Sequence, residues 1–409
     1  MTSIRPLLHI RYVRVIVLST LFSQMGTWVR NLAVLLFVME KTHGNAVAVS
    51  MISVSEYAPI FLFSIIGGTF ADRWQPKRTV VICDLLSALS VGAVLATLLF
   101  GSWQTVFLAS FISAVLSQFA TPSGMKLAKI HLNDNQFGRT FAILQFIVSA
   151  FTIVGPMMGT VVYQSLNING AIAITCICFL LSAMMLIFLP PDNSEHRPSG
   201  HAPFIKEMAA GFNYIFKKKI LFYLSLSFLM IGLGVGLIQP LGIFLVTDML
   251  KLPVDFYQWT MVPYGAGEIL GGLLVMAVAR KLPSIYLLAI GIIVSAASIA
   301  LTGMSMLLWL TMAGIFLTAL VQPFFLVGNM SLIAKHTDEA FIGRVNGIRT
   351  PLFTGATVLM TSLSGFLKTH VSLTVLYFAS AIMFLLALGV LFPMMRPPIL
   401  EKTHQEKRA

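Results

Sequence analysis

The chain has 409 residues, 57% of them hydrophobic and 10% charged, against roughly 25% charged in soluble domains. A soluble core cannot hide that much apolar surface, whereas a bilayer can, so the composition excludes a soluble globular protein. The formal net charge of +12 does not indicate nucleic acid, because the basic residues fall in short clusters between apolar runs; loop charge that orients membrane helices accounts for them.

Taken in chain order, apolar runs of about 20 residues predict twelve spans. They lie near 13–38, 47–70, 79–100, 103–123, 140–164, 170–189, 220–246, 256–279, 284–304, 307–333, 346–367 and 372–395. The basic N-terminus (Arg5, Arg11, Arg14) precedes a run too long for a signal peptide, so it leads into the first span. Between spans two and three the stretch Gly67 to Arg78, GGTFADRWQPKR, concentrates Asp72, Arg73, Lys77 and Arg78. Such a cluster has to lie where a helix meets water. Cys83, Cys176 and Cys178 fall in or beside spans with no partner cluster, which reads as lipid-embedded side chains rather than a disulfide framework or metal site.

The one long connection, 190–219, is polar, Pro-rich and basic, as expected of a linker between an N-terminal six-helix bundle (1–189) and a C-terminal one (220–409). Within it, 204–216 reads either as a short interfacial helix or as solvated linker. Placing both termini in the cytoplasm leaves only Lys41, Lys251 and Lys368 on the outside, with Arg30 inside a span. That bias fixes the expected orientation in a cell membrane. The halves echo each other: span two ends with Gly67-Gly68 before a basic loop, span eight has Gly271-Gly272 before Arg280-Lys281, and Gln118 to Pro122 in span four matches Gln322-Pro323 in span ten.

Twelve spans in two similar halves with a basic central loop resemble the major facilitator superfamily. The loop Gly67 to Arg78 is similar to that family's signature between spans two and three, with Gly68, Asp72, Arg73, Lys77 and Arg78 in the expected places and Gln75 and Pro76 departing from it. Gly155-Pro156-Met157-Met158-Gly159 resembles the Gly-Pro-x-x-Gly pattern of drug and proton antiporters; a Gly-Pro kink for close helix packing accounts for it equally well. FATPSGMKLAKIHL after span four and IGRVNGIRT entering span eleven look most like the branch of enterobactin exporters and macrolide efflux proteins. The resemblance implies an all-α polytopic membrane protein, two pseudo-symmetric six-helix bundles, and a monomeric secondary exporter working by alternating access. It would exchange protons for a small organic molecule such as a siderophore or macrolide-like drug, with no cofactor.

Three ionisable residues fall near mid-membrane: Arg30, Glu56 and Glu268. Each costs roughly 2.5–3.5 kcal/mol at a helix centre, so each needs a partner or a purpose. Arg30 precedes Glu40 by ten residues, about 15 Å of helix, and Glu56 sits at similar depth after Asn45. An ion pair between them is one expectation; a Glu56 that carries protons while its pairing changes is the other. Glu268 has no basic residue at its level in its own half, and an acid without a counter-charge in a low dielectric is held more easily in its neutral form. With Tyr264 one turn earlier as a hydrogen-bond donor, Glu268 is the first choice for coupling. Asp72 and Arg73 are expected at an inner gate, with Asp84 placed to pair with Arg78. Candidate cavity residues are Gln24, Trp28, Asn31, Gln118, Gln145, Gln239, Gln322, Asn329 and Asn346; each could instead bond a neighbouring helix. With 31 Phe and 22 Met they suit a large amphipathic substrate. No Gly-Lys-Ser/Thr phosphate loop and no His/Cys metal spacing is present, so nothing suggests an enzyme or a metal site. Lipid or lysolipid translocation, and a transport-inactive sensor or assembly partner, stand as the alternative functions.

Overall fold

The computed structural model describes residues 9–189, 204–279, 281–338 and 341–395, leaving out the side chains at 64–73, 134–135 and 204–207. Among the described residues the chain is helical and forms no strand. Hydrocarbon offers backbone groups no water, so each apolar segment satisfies its own amides and carbonyls internally. Among the described residues, eleven helices are long and apolar enough to cross a membrane. The longest, Asp134–Ile187, has 54 residues and is broken at Asn167 (φ 56°, ψ −172°), which divides it into two spans. The twelve expected segments are therefore all present; most ends fall within a few residues, but span four runs on through the ATPSGMKLAKIH stretch to His131, and span five begins at Asp134, six residues before the expected start at 140.

The chain divides into two compact units, Met1–Ser199 and Gly200–Ala409. The first contains α1 (Arg11–Lys41), α2 (Ala46–Arg73), α3 (Pro76–Leu99), α4 (Val106–His131), α5 (134–166) and α6 (168–187). The second opens with α7 (Phe204–Lys217), followed by α8 (Lys219–Ile238), α9 (Tyr257–Val278), α10 (Ser284–Met304), α11 (Leu308–His336), α12 (Ile342–His370) and α13 (Leu373–Met395). Beyond Pro240, the α8 segment continues irregularly to Met249, ending in a π-turn. The second half of the expected linker is thus a helix packed against the first turns of α12, where Gly211 lies under Ile348 and Arg344.

Within each unit the helices pair in the same way. Helix α1 packs against α5 and α6, α2 against α4, and α3 against α4 and α6; α8 packs against α12 and α13, α9 against α11, and α10 against α11 and α13. The correspondence reaches individual bonds. Thr175 on α6 donates to the Gly26 carbonyl of α1 (3.2 Å), and Ser380 on α13 donates to the Gly234 carbonyl of α8 (2.8 Å). At the end of α1, Glu40 accepts from the Tyr163 hydroxyl (2.6 Å), while Asp248 pairs with Lys368 (2.6 Å). Each following turn holds a residue at positive φ, His43 (52°) in one unit and Lys251 (55°) in the other. In hydrocarbon, small residues and hydroxyl-to-carbonyl bonds of this kind, roughly 0.6 kcal/mol each, hold helices together.

Candidate functional site

In the first unit Arg30 is 4% exposed on α1. Its Nε and Nη2 fork onto Oδ1 of the neighbouring Asn31 (3.1 and 2.9 Å), and its charge lies 5.9 Å from the Phe179 ring. Nη1 has no partner. Glu56 on α2 is within electrostatic reach of Arg30, but no ion pair or hydrogen bond joins them among the described residues. The expected Arg30–Glu56 bridge is therefore not closed: Asn31 occupies the fork of the guanidinium, and the acid is left half-buried without a hydrogen bond. Asn31, read as a cavity residue, is committed to Arg30.

In the second unit Glu268 sits on α9 between Gly267 and Gly271, whose missing side chains let α9 lie on the α11 backbone at Phe316 and Leu320. Glu268 is half-buried and makes no hydrogen bond or ion pair among the described residues. The expected Tyr264 donation to it does not form; the Tyr264 hydroxyl donates to Oε1 of Gln322 on α11 (2.9 Å). That bond crosses to the helix packed closest, whereas Glu268 lies one turn away on α9 itself.

A second buried cation escaped the sequence reading. Arg349 on α12 is 2% exposed; its Nη2 donates to Oδ1 of Asn329 (2.8 Å) and to the Leu224 carbonyl (3.1 Å), and it lies 5.0 Å from the Phe228 ring. Its Nε has no partner. Its signal was present: Arg349 is seven residues inside α12, about 10 Å along the axis, the same depth argument that singled out Arg30. Asn329, read as a cavity residue, is 3% exposed and holds Arg349.

The loop between α2 and α3 is tighter than the sequence suggests. Helix α2 continues to Arg73, and α3 begins at Pro76, so only Trp74 and Gln75 lie between. Pro76 takes the first helical position, where its fixed φ and missing amide suit the helix start, and Gln75 is an extended N-cap (φ −71°, ψ 115°). The departures at these two positions leave the turn intact. Trp74 stacks on Phe119 of α4 (5.9 Å, 24°). Gly68, Asp72 and Arg73 are described as helical backbone of α2 only, so the expected gate roles of their side chains lie outside the described residues. Lys77 donates to the Leu189 carbonyl (2.5 Å) and Arg11 to that of Phe188 (3.1 Å), so both cations cap the C-terminal end of α6, where the helix dipole favours positive charge. Arg78 is exposed, and the expected Asp84–Arg78 pair does not form: Asp84 is bonded to Ser182 of α6 (2.5 Å). A side chain two turns into α3 reaches its helix neighbour more readily than the loop behind it.

Gly155 and Gly159 of the antiporter-like motif face α1. A Cβ at Gly159 would come 2.8 Å from that of Leu32, and one at Gly155 would collide with the Trp28 ring; Thr160 bonds back to the Pro156 carbonyl (3.0 Å). These positions serve the α1–α5 crossing, and Trp28 is part of it. Of the remaining polar candidates, Gln118 bonds Ser117 (3.1 Å) on its own helix, Gln24 and Asn346 are half-buried, and Gln145 and Gln239 are exposed. Among the described residues no group of His, Cys, Asp and Glu is placed to hold a metal ion.

The model of the Major Facilitator Superfamily matches residues 16–249 and 224–409. The chain belongs to this family. Its members are membrane transporters rather than enzymes, and this one is a multi-pass transporter with efflux-type relatives. An uncharacterized transporter of this type from Bacillus subtilis, YkuC, is 24% identical over 90% of this chain and 88% of its own. Macrolide efflux protein A of Streptococcus pyogenes is 24% identical over 77% of this chain and 78% of its own, and the enterobactin exporter EntS of Citrobacter koseri 23% over 71% and 70%. Among solved structures, a bacterial homologue of the iron transporter ferroportin in an inward-facing state matches with a TM-score of 0.75 at 16% identity, over 96% of this chain and 99% of that one. At that identity the likeness concerns the fold.

Proposed function

We propose that this transporter is a secondary active exporter of an amphipathic organic molecule, driven by protons entering as the substrate leaves, with the two units alternating access. Glu268 carries the proposal: a half-buried carboxylate inside a span, without cation or hydrogen bond among the described residues, binds a proton at little electrostatic cost and loses it when water reaches it. Glu56, near Arg30 but not bridged to it, is the second exchanging acid. Relatives named for macrolide efflux and enterobactin export support an organic substrate such as a siderophore or macrolide-like drug. The test is substrate-induced proton flux in proteoliposomes. Glu268→Gln keeps the shape and removes the exchangeable proton, so flux should fall to the level of empty vesicles while circular dichroism and melting stay unchanged. Undiminished flux in that variant would remove Glu268 from the mechanism.

A further inference from the structure

Ser182 on α6 sits at the centre of a hydrogen-bond cluster joining three helices, and it is fully buried. Its Oγ lies 2.5 Å from Oδ2 of Asp84 on α3, 2.8 Å from Oγ of Ser19 on α1, and 3.2 Å from the Ser19 carbonyl. A serine hydroxyl has one proton to donate and two lone pairs to accept with. The Ser19 carbonyl only accepts. If Asp84 is ionised it also only accepts, and the single Ser182 proton cannot serve both. All three contacts are hydrogen bonds together only when Asp84 carries a proton: Asp84 and Ser19 then donate to Ser182, and Ser182 donates to the Ser19 carbonyl.

Depth and charge agree with that count. Asp84 is eight residues into α3, about 12 Å along the axis of a helix long and apolar enough to cross a membrane. An ionised carboxylate there with one neutral hydrogen bond and no cation is costly. Helix α3 packs against α4 and α6. On α3 itself Arg78 is exposed, Lys77 is bonded to Leu189, and Cys83 adds no positive charge. On α1, Arg11 is bonded to Phe188, and Arg14 is exposed. On α6, the Cys176 thiol is bonded to the Ala88 carbonyl (3.4 Å) and Cys178 is a buried neutral thiol. On α4, Lys126, Lys129 and His131 lie in the last two turns, and none of them pairs with Asp84 among the described residues. The fold itself does not require the cluster: Ala387 of α13, at the position matching Ser182 when Ser380 is matched to Thr175, is fully buried without any hydroxyl.

We infer that Asp84, Ser182 and Ser19 form a proton-binding site at the α1–α3–α6 junction, separate from the mid-membrane acids. When the proton leaves to water, the Ser182 hydroxyl turns from the Ser19 carbonyl to Oδ2 of Asp84, and one of the two α1–α6 bonds, that to the Ser19 carbonyl, is given up while Ser19 Oγ still donates to Ser182. The site thereby couples protonation to the packing of α1.

Infrared spectroscopy of the purified protein in lipid membranes, taken between about pH 5 and pH 8, reads the site without transport. The protonated-carboxyl carbonyl band should lose a component in Asp84→Asn, and that component should move to higher frequency in Ser182→Ala, where its hydrogen bond is gone. Glu268→Gln should leave it in place, so the outcome is independent of the proposed coupling acid. Wild-type protein labelled with 13C-aspartate gives the same component without any substitution at Asp84, should that variant fail to fold. A spectrum at about pH 5 in which 13C-aspartate shows only ionised carboxylate, or in which neither Asp84→Asn nor Ser182→Ala alters the band, would overturn the assignment.

Discussion

A guanidinium buried without a counter-ion places its demand on neutral acceptors, and around α12 these are Asn329 and the Leu224 carbonyl. A hydrogen bond to a charged group is worth roughly 1.5–3 kcal/mol, more than the 0.5–1.5 kcal/mol of a neutral one. Asn329→Ala should therefore destabilise the second unit by about that larger amount, measured as a lowered melting temperature in detergent. A melt that stays within error of the wild type would mean that water or lipid takes over from Asn329. Arg30 relies on Asn31 in the same manner, with one N–H left over. In both places the sequence offers the asparagine either as a cavity residue or as a hydrogen-bond partner within the helix packing, and the structure shows the second. A polar side chain inside a span announces that it needs a partner, but spacing along the chain does not say whether the partner is a neighbour or a substrate. The residues were legible; their partners were not.

At the scale of the helix, adjacent glycines that look alike in the sequence have different duties. Gly271 lies against the Leu320 backbone, where a Cβ would collide with the carbonyl, whereas a Cβ at Gly272 would meet nothing within 4 Å. Gly271→Ala should cost about 1–3 kcal/mol through overpacking against backbone that cannot give way, and Gly272→Ala should be close to neutral. Paired melting curves of the two variants check this, and equal effects would mean that α9 and α11 are not in close contact. The same geometry explains the Gly-Pro-x-x-Gly segment, whose glycines admit Trp28 and Leu32 of α1. Helix α7 is another case. Its alternation of apolar and basic residues left open whether it was solvated chain, and what decides it is packing: Gly211 against α12, and Tyr214 stacked on Phe341 (4.3 Å, 7°) while donating to Asp338 (2.8 Å). The exposed Lys218–Asp338 pair beside it adds little to stability, as surface ion pairs do.

For the whole molecule, the charge bias predicts a topology that labelling can test. The three native cysteines lie within spans, two buried and one half-buried. In intact cells a membrane-impermeant maleimide should therefore label Lys251→Cys and not Lys217→Cys, and the reverse pattern would invert the orientation. The sequence by itself determined the twelve spans, the internal repeat and the family, because bilayer thickness sets segment length and a run of apolar residues has nowhere else to go. It also singles out Glu56 and Glu268 as acids within apolar helices, since burying a charge is costly wherever it occurs. Only the tertiary structure decided who bonds to whom: Asp84 to Ser182 rather than Arg78, Tyr264 to Gln322 rather than Glu268, Lys77 to the end of α6. Hydrogen bonds act over about 3 Å, and which groups come that close depends on how helices distant in sequence turn their faces to one another. Periodicity within one helix carries no record of that.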